Sequence, residues 1–181
     1  MKTTVYIATS LDGFIARPNG DLDWLPGIGD ADTGEDYGYQ AFMDSVDVLV
    51  MGRGTYEIVC KFDPWPYGDK RVVVLSNTLT HLADDLPDTV ELRTGTPVEL
   101  VKALDQEGFR HAYIDGGKTI QGFLRARLID ELIITRIPVL IGAGIPLFGP
   151  LEEDVKLEHV QTRSYANGLV QSTYSVPGAH S

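Results

Sequence analysis

"VLVMGRGTYE", Val48 to Glu57, opens as an apolar, β-branched run and breaks at Gly52-Arg53-Gly54-Thr55. "AYIDGGKTIQGFL", Ala112 to Leu124, repeats the arrangement, with Gly116-Gly117-Lys118-Thr119 at the break. Each apolar run reads as a strand buried on both faces, and each break opens a helix-like pattern. The first amides of a helix lack intrahelical acceptors and carry partial positive charge, so they attract phosphate. Glycine allows a close approach to those donors. A third strand, Arg71–Ser76, runs into Asn77-Thr78, a further cluster of short donors. Open α/β sheets place ligands along that carboxyl edge. Taken singly, each step also reads as a helix cap with a solvated Arg53 or Lys118. Three together point to one extended polyphosphate ligand, although neither GxGxxG nor GxxxxGK[ST] is present.

The remaining pattern fits that sheet. Strands are expected at Thr3–Ala8, Val46–Met51, Arg71–Ser76, Val90–Arg93, His111–Asp115 and Glu131–Val139. Val155–Arg163 and Leu169–Val176 read as a terminal hairpin turning at Ala166-Asn167-Gly168. Helices are expected at Glu35–Asp44, Thr55–Lys61, from the Thr96-Pro97-Val98-Glu99 capping box to about Gln106, and at Lys118–Ala126. Ser10–Asp32 is rich in turn signals. The expected architecture is α/β, a single domain over residues 1–181 with a central mixed sheet of about eight strands flanked by about four helices.

Fifteen basic residues against 26 acidic ones give a net charge of −11. Such a chain repels a nucleic-acid backbone or an anionic membrane, so neither is an expected partner. Cys60 is the single cysteine, which excludes an internal disulfide and any CxxC metal site and suits a reducing compartment. His81, His111, His159 and His180 are scattered without ligand spacing, and no metal site is expected. Met1-Lys2 leads straight into Thr3–Ala8, too short an apolar run for a signal peptide or membrane span, so a cytoplasmic protein is expected.

The glycine steps, with Leu75-Ser76-Asn77 between them, resemble the dihydrofolate reductase fold. "SLDGFIA" (Ser10 to Ala16), Asp115-Gly116-Gly117 and "PVLIGAGIPLF" (Pro138 to Phe148) look more specifically like the reductase domain of riboflavin biosynthesis, the RibD C-terminal family. The resemblance runs from about Thr3 to Val176. It implies an NADPH-dependent oxidoreductase. Hydride would pass to a C=N or C=O bond of a small heterocycle or a ribosylamino-pyrimidine, as in 5-amino-6-(5-phosphoribosylamino)uracil reductases. Carried onto this chain, Arg53 and Ser76, with Asn77 beside them, would hold the 2′-phosphate. Thr55 and Gly116-Gly117-Lys118-Thr119 would cradle the pyrophosphate, with Gly52, Gly54 and Leu75 completing that surface and Ala8 near the nicotinamide. Related reductases are often dimers, so a homodimer is expected, with the terminal hairpin as one candidate interface.

Three carboxylates are candidates for the proton that accompanies hydride transfer. Asp12 comes first because its loop leaves the first strand beside the expected nicotinamide; its other reading is a turn cap in Asp12-Gly13. Asp36 comes second, at about the position of the pterin-binding carboxylate of dihydrofolate reductases, or else as a solvated acid at a helix start. Asp115 stands where riboflavin-pathway reductases more usually carry glutamate. Ser10 and Trp24 are candidate substrate contacts, Trp24 by stacking or simply as a core cover. Riboflavin-pathway reductases tend to carry lysine where this chain has Tyr6 and Ile7, and often a basic residue in place of Phe14. Those cations suit a phosphorylated sugar, and their loss argues against that substrate. A dihydrofolate or pterin reductase and a non-enzymatic NADP(H)-binding protein are the alternatives.

Overall fold

The structure, a computed structural model, describes residues 1–25 and 34–179. Residues 26–32 of the turn-rich stretch lie outside that description, as does His180. In chain order the elements are β1 (Lys2–Ser10), β2 (Phe14–Ala16), α1 (Tyr39–Ser45), β3 (Val48–Gly52), α2 (Arg53–Val59), β4 (Arg71–Leu75) and β5 (Val90–Arg93). There follow α3 (Pro97–Gln106), β6 (His111–Asp115), α4 (Gly117–Arg125), β7 (Glu131–Ile137), β8 (Ile145–Pro146), β9 (Glu158–Ser164) and β10 (Val170–Ser175). One eight-stranded sheet runs in the order β5-β4-β3-β6-β1-β7-β10-β9. It is parallel from β5 to β7 and closes with two antiparallel strands. The α/β architecture, with an eight-stranded mixed sheet and four helices, is therefore as expected.

Side-chain alternation explains why the central strands are apolar throughout. Val48 and Val50 of β3 face one core with α3 and α4, where Leu104, Ile120 and Phe123 are fully enclosed. Leu49 and Met51 face the other core, with Phe42 and Met43 of α1 and Tyr56 and Val59 of α2. β4 and β6 divide in the same way, Val73, Ala112 and Ile114 to the first core and Val72, Val74 and Tyr113 to the second. On α3 the Thr96 hydroxyl accepts the Glu99 amide at 3.2 Å and the Glu99 carboxylate accepts the Thr96 amide at 2.8 Å, a complete capping box.

Three elements depart from the sequence pattern. The first helix starts at Tyr39, not Glu35, because Tyr37 and Gly38 have φ of 57° and 84°. β7 stops at Ile137, where Pro138 has no amide for the ladder. The Gly142–Gly144 turn delivers β8, a strand with no signal in the pattern, which pairs antiparallel with β2 as a separate two-stranded ribbon. A side chain at Gly144 would strike the Ala16 carbonyl, so this ribbon needs glycine there.

Phe123 is fully buried between α4 and the sheet. Phe123→Ala should cost about 3–5 kcal/mol, read as a lower denaturation midpoint at unchanged m-value.

Candidate active site

Parallel register brings the chemistry of distant segments to one edge. Gly52 pairs with Leu75 across β3 and β4, and Met51 pairs with Asp115 across β3 and β6. β1 lies beside β6 and ends past Ala8. Four adjacent strands thus carry Leu75-Ser76, Gly52-Arg53, Asp115-Gly116 and Ala8 across about 14 Å, three interstrand spacings. All these residues line one cavity of about 1430 Å³, together with Gly54, Thr55, Asn77, Gly117, Lys118 and Thr119. Sites for drug-sized ligands span roughly 300–1,000 Å³, so this cavity has room for a dinucleotide and an acceptor together.

The glycines at its centre interlock. A side chain on Gly52 would strike the Thr119 hydroxyl, and one on Gly116 would strike the Thr55 hydroxyl. Gly116 also has φ of 93°, which disfavours any side chain. Gly54, by contrast, faces open space. Neither α2 nor α4 has a side-chain cap or an acid in its first turn, unlike α3 with its capping box. Their first amides are left for a ligand. Arg53 reaches the Glu57 carboxylate at 2.6 Å and the Thr78 hydroxyl at 3.5 Å. The Ser76 hydroxyl accepts the Leu79 amide at 3.0 Å, and Asn77 accepts the Gly95 amide at 2.8 Å. These bonds hold the β4–β5 edge of the cavity, which Thr78, the last of the short donors after β4, also lines. Arg53, Lys61 and Lys118 stand against Asp36, Glu57 and Asp115 around the cavity, a balanced lining in a chain of net charge −11.

The opposite end is aromatic and acidic. Tyr6, Tyr37, Tyr39 and Tyr67 line it with Asp36, Thr135 and Leu169. Tyr6 donates to the Tyr37 carbonyl at 2.8 Å and accepts from the Gln171 amide at 3.1 Å, and burial pushes its hydroxyl up to about 12. Sequence alternation with Ala8 would have found Tyr6, since the two share a strand face; Tyr67, in the loop after α2, has no such signal. The enclosed carboxyl of Asp115 is pushed up to about 6 by desolvation, opposed by a bond from the Gly116 amide. Its charge in turn raises Tyr39 and Tyr67 beyond the effect of their own burial.

Comparison with known proteins fits this geometry. Residues 1–171 match the family model of the RibD C-terminal domain. The chain belongs to the RibD C-terminal domain family. A Bacillus subtilis member, the uncharacterized protein YwjB, is 35% identical over 170 residues, covering 93% of this chain and 94% of that one. A Shewanella sp. PV-4 structure, provisionally assigned to riboflavin biosynthesis, superposes at a TM-score of 0.91 with 46% identity over 97% of this chain and 99% of that one. Dihydrofolate reductase from Enterococcus faecalis, solved with NADP(H), has the same fold at a TM-score of 0.66, with 19% identity over 97% of this chain and 96% of that one.

Within this RibD-type fold, several expected contacts lie elsewhere. Asp12 does not line the cavity. Its exposed carboxylate accepts the Gly142 amide at 2.8 Å and the Ile141 amide at 3.3 Å, tying the β1–β2 turn to the segment before β8. The Ser10 hydroxyl, followed by those amides, holds its pKa below the usual carboxylate range. Bonded in this way at the surface, Asp12 serves as a turn anchor, the other of its two readings. Ser10 is buried, accepts the Phe14 amide at 3.0 Å and is outside the lining. Trp24 is half-buried outside the lining, whereas its neighbours Leu22 and Leu25 line the cavity. Asp36 does line it, but as the cap of α1: its carboxylate accepts the Gln40 and Gly38 amides at 3.0 and 2.9 Å, which depress its pKa. No helix among the described residues is long and apolar enough to cross a membrane.

The raised Asp115 carboxyl makes a stability prediction. Between pH about 4 and about 6 the unfolded chain ionises this group first, so the wild type loses stability as pH rises through that window. Asp115→Asn should therefore be about 1–2 kcal/mol more stable than wild type at pH 7 and equal to it at pH 4, by urea titration.

Proposed function

We propose that the protein is an NADPH-dependent reductase of a small heterocyclic or ribosylamino-pyrimidine-type acceptor. The observation that carries this reading is the single cavity running from Ser76 past both uncapped glycine steps to Ala8 and Asp115. Its donor set fits the cofactor. Arg53 beside Ser76 and Thr78 suits a 2′-phosphate; the first amides of α4, with Lys118 and Thr119, suit a pyrophosphate. Bound there, NADPH would supply a hydride to a C=N or C=O carbon. The cavity continues beyond the glycine steps to Tyr6, Tyr39 and Tyr67, space that a protein only binding NADP(H) would not need.

The chain's own task is to hold the acceptor and deliver a proton. Asp115 is the group for the second task. Its pKa of about 6 leaves a usable protonated fraction near neutrality and a proton it releases readily. It sits at the end of β6, flanked in the sheet by β3 and by the β1 strand that carries Ala8. Tyr6 is held by Tyr37 and Gln171 and keeps its own proton, so it orients and does not titrate.

Two experiments test the reading. Arg53→Ala should weaken NADPH binding by about ten-fold or more while leaving NADH affinity nearly unchanged, since a charge-assisted bond contributes about 1.5–3 kcal/mol. Equal affinity of the wild type for the two cofactors, in fluorescence titrations, would refute the 2′-phosphate assignment. Asp115→Asn should bind NADPH normally but slow single-turnover reduction by about 10²–10⁴-fold. The wild-type rate should fall as pH rises above about 6, where Asp115 loses its proton, and the variant should lack that step.

A further inference from the structure

We infer that Glu57 sets how strongly the cavity prefers NADPH, acting against Arg53 on the same helix. The inference rests on the reductase reading and adds to it a residue that moderates cofactor choice. Arg53 and Glu57 stand four residues apart on α2, and both line the cavity with Ser76, Asn77 and Thr78. The guanidinium Nε donates to the Glu57 carboxylate at 2.6 Å, while Nη1 reaches the Thr78 hydroxyl only at 3.5 Å. Arg53 is thus already engaged, by an acid of the cavity wall. Lys61 follows four residues after Glu57 and lines the cavity too, so this acid is set between two cations.

Helix stability does not account for the pair. The two side chains are 51% and 49% exposed, and ion pairs in such positions contribute little to folding. Their order is also the weaker one, since an acid four residues before a base supports a helix better than the reverse. What the pair does is occupy the guanidinium. Arginine grips a phosphate through two parallel N–H groups, and Glu57 already holds the one on Nε. A 2′-phosphate that uses that side of the fork must displace the carboxylate and then stay near its charge. A ribose 2′-hydroxyl displaces nothing, because it donates to Glu57, whose Oε2 is a further acceptor. In doubly wound dinucleotide-binding folds an acid at the ribose favours NADH and an arginine favours NADPH. Here one of each lies in the same wall, bonded together, and Glu57 narrows the preference that Arg53 creates.

The test is fluorescence titration of NADPH and NADH against the wild type, Glu57→Gln and Glu57→Ala. The wild type should favour NADPH. Both variants should bind NADPH about two- to five-fold more tightly than the wild type does, and NADH no more tightly, so the preference widens. A purely structural role for Glu57 would move both affinities together and leave their ratio unchanged. That result would overturn the inference while the reductase reading stands. A narrower preference in both variants would overturn it as well, because Glu57 would then be presenting Arg53 to the phosphate. Equal affinity of the wild type for the two cofactors would remove the 2′-phosphate assignment and this inference with it. Binding of neither cofactor would overturn the reductase reading itself.

Discussion

Two glycines packed against two threonines hold the site together. β3 and β6 are neighbours, yet the helices that follow them leave for opposite faces of the sheet, α2 to the core of Tyr56 and Val59 and α4 to that of Ile120 and Phe123. That divergence opens a crevice between the strand ends, the place where α/β sheets bind ligands. The crevice stays narrow because each helix start leans on the other's strand end. Gly52 makes room for Thr119, and Gly116 makes room for Thr55. A side chain at either glycine would push one helix start away from the other and misplace the amides of both. The glycines therefore serve the approach of the chain to itself as much as the approach of a phosphate.

The same residue type takes opposite roles according to its surroundings. Asp12 has water and backbone amides around it, so its charged form is favoured and the carboxylate works as a fastener. Asp115 is half-buried in the cavity wall with a single amide bond, so desolvation outweighs that bond and its neutral form is favoured. The first arrangement stabilises a turn. The second carries a cost in folding stability, a pattern typical of groups retained for chemistry.

Much of this was legible because it is local. An apolar run followed by paired glycines announces both a buried strand and its end, and the capping box on α3 announces a helix start. Strand order is not local, but parallel register forces all four strand ends to one edge once the sheet is granted, which is why the expected cofactor residues line a single cavity. The acids were harder. Asp12 has the closer motif match, but the motif encodes a tie to Gly142, whose position depends on the pairing of β2 with β8. Those strands have three and two residues, too short for periodicity to reveal. Asp36 does line the cavity at a helix start, but the helix begins later than its apolar spacing suggests, because Tyr37 and Gly38 adopt positive φ. Nothing in a one-dimensional pattern reports the desolvation that separates Asp115 from the other two.

The terminal hairpin enters the site through one side chain. Gln171 of β10 is buried, and its amide nitrogen lies 3.1 Å from the Tyr6 hydroxyl, 3.1 Å from the Tyr37 carbonyl and 3.0 Å from the Thr135 hydroxyl. An amide has only two N–H groups, so the three acceptors share them and no polar atom on that floor can move alone. β10 thereby fixes β1, β7 and the segment leading into α1 against one another. It also fixes protonation. Tyr6 is tied as a donor to Tyr37 and stays neutral, while Asp36 is held ionised by the α1 amides. Among the lining acids and phenols whose pKa is displaced, Asp115 alone is brought near neutrality. On the proposed reading, proton delivery falls to Asp115, at the head of the second glycine step, beside the strand that carries Ala8.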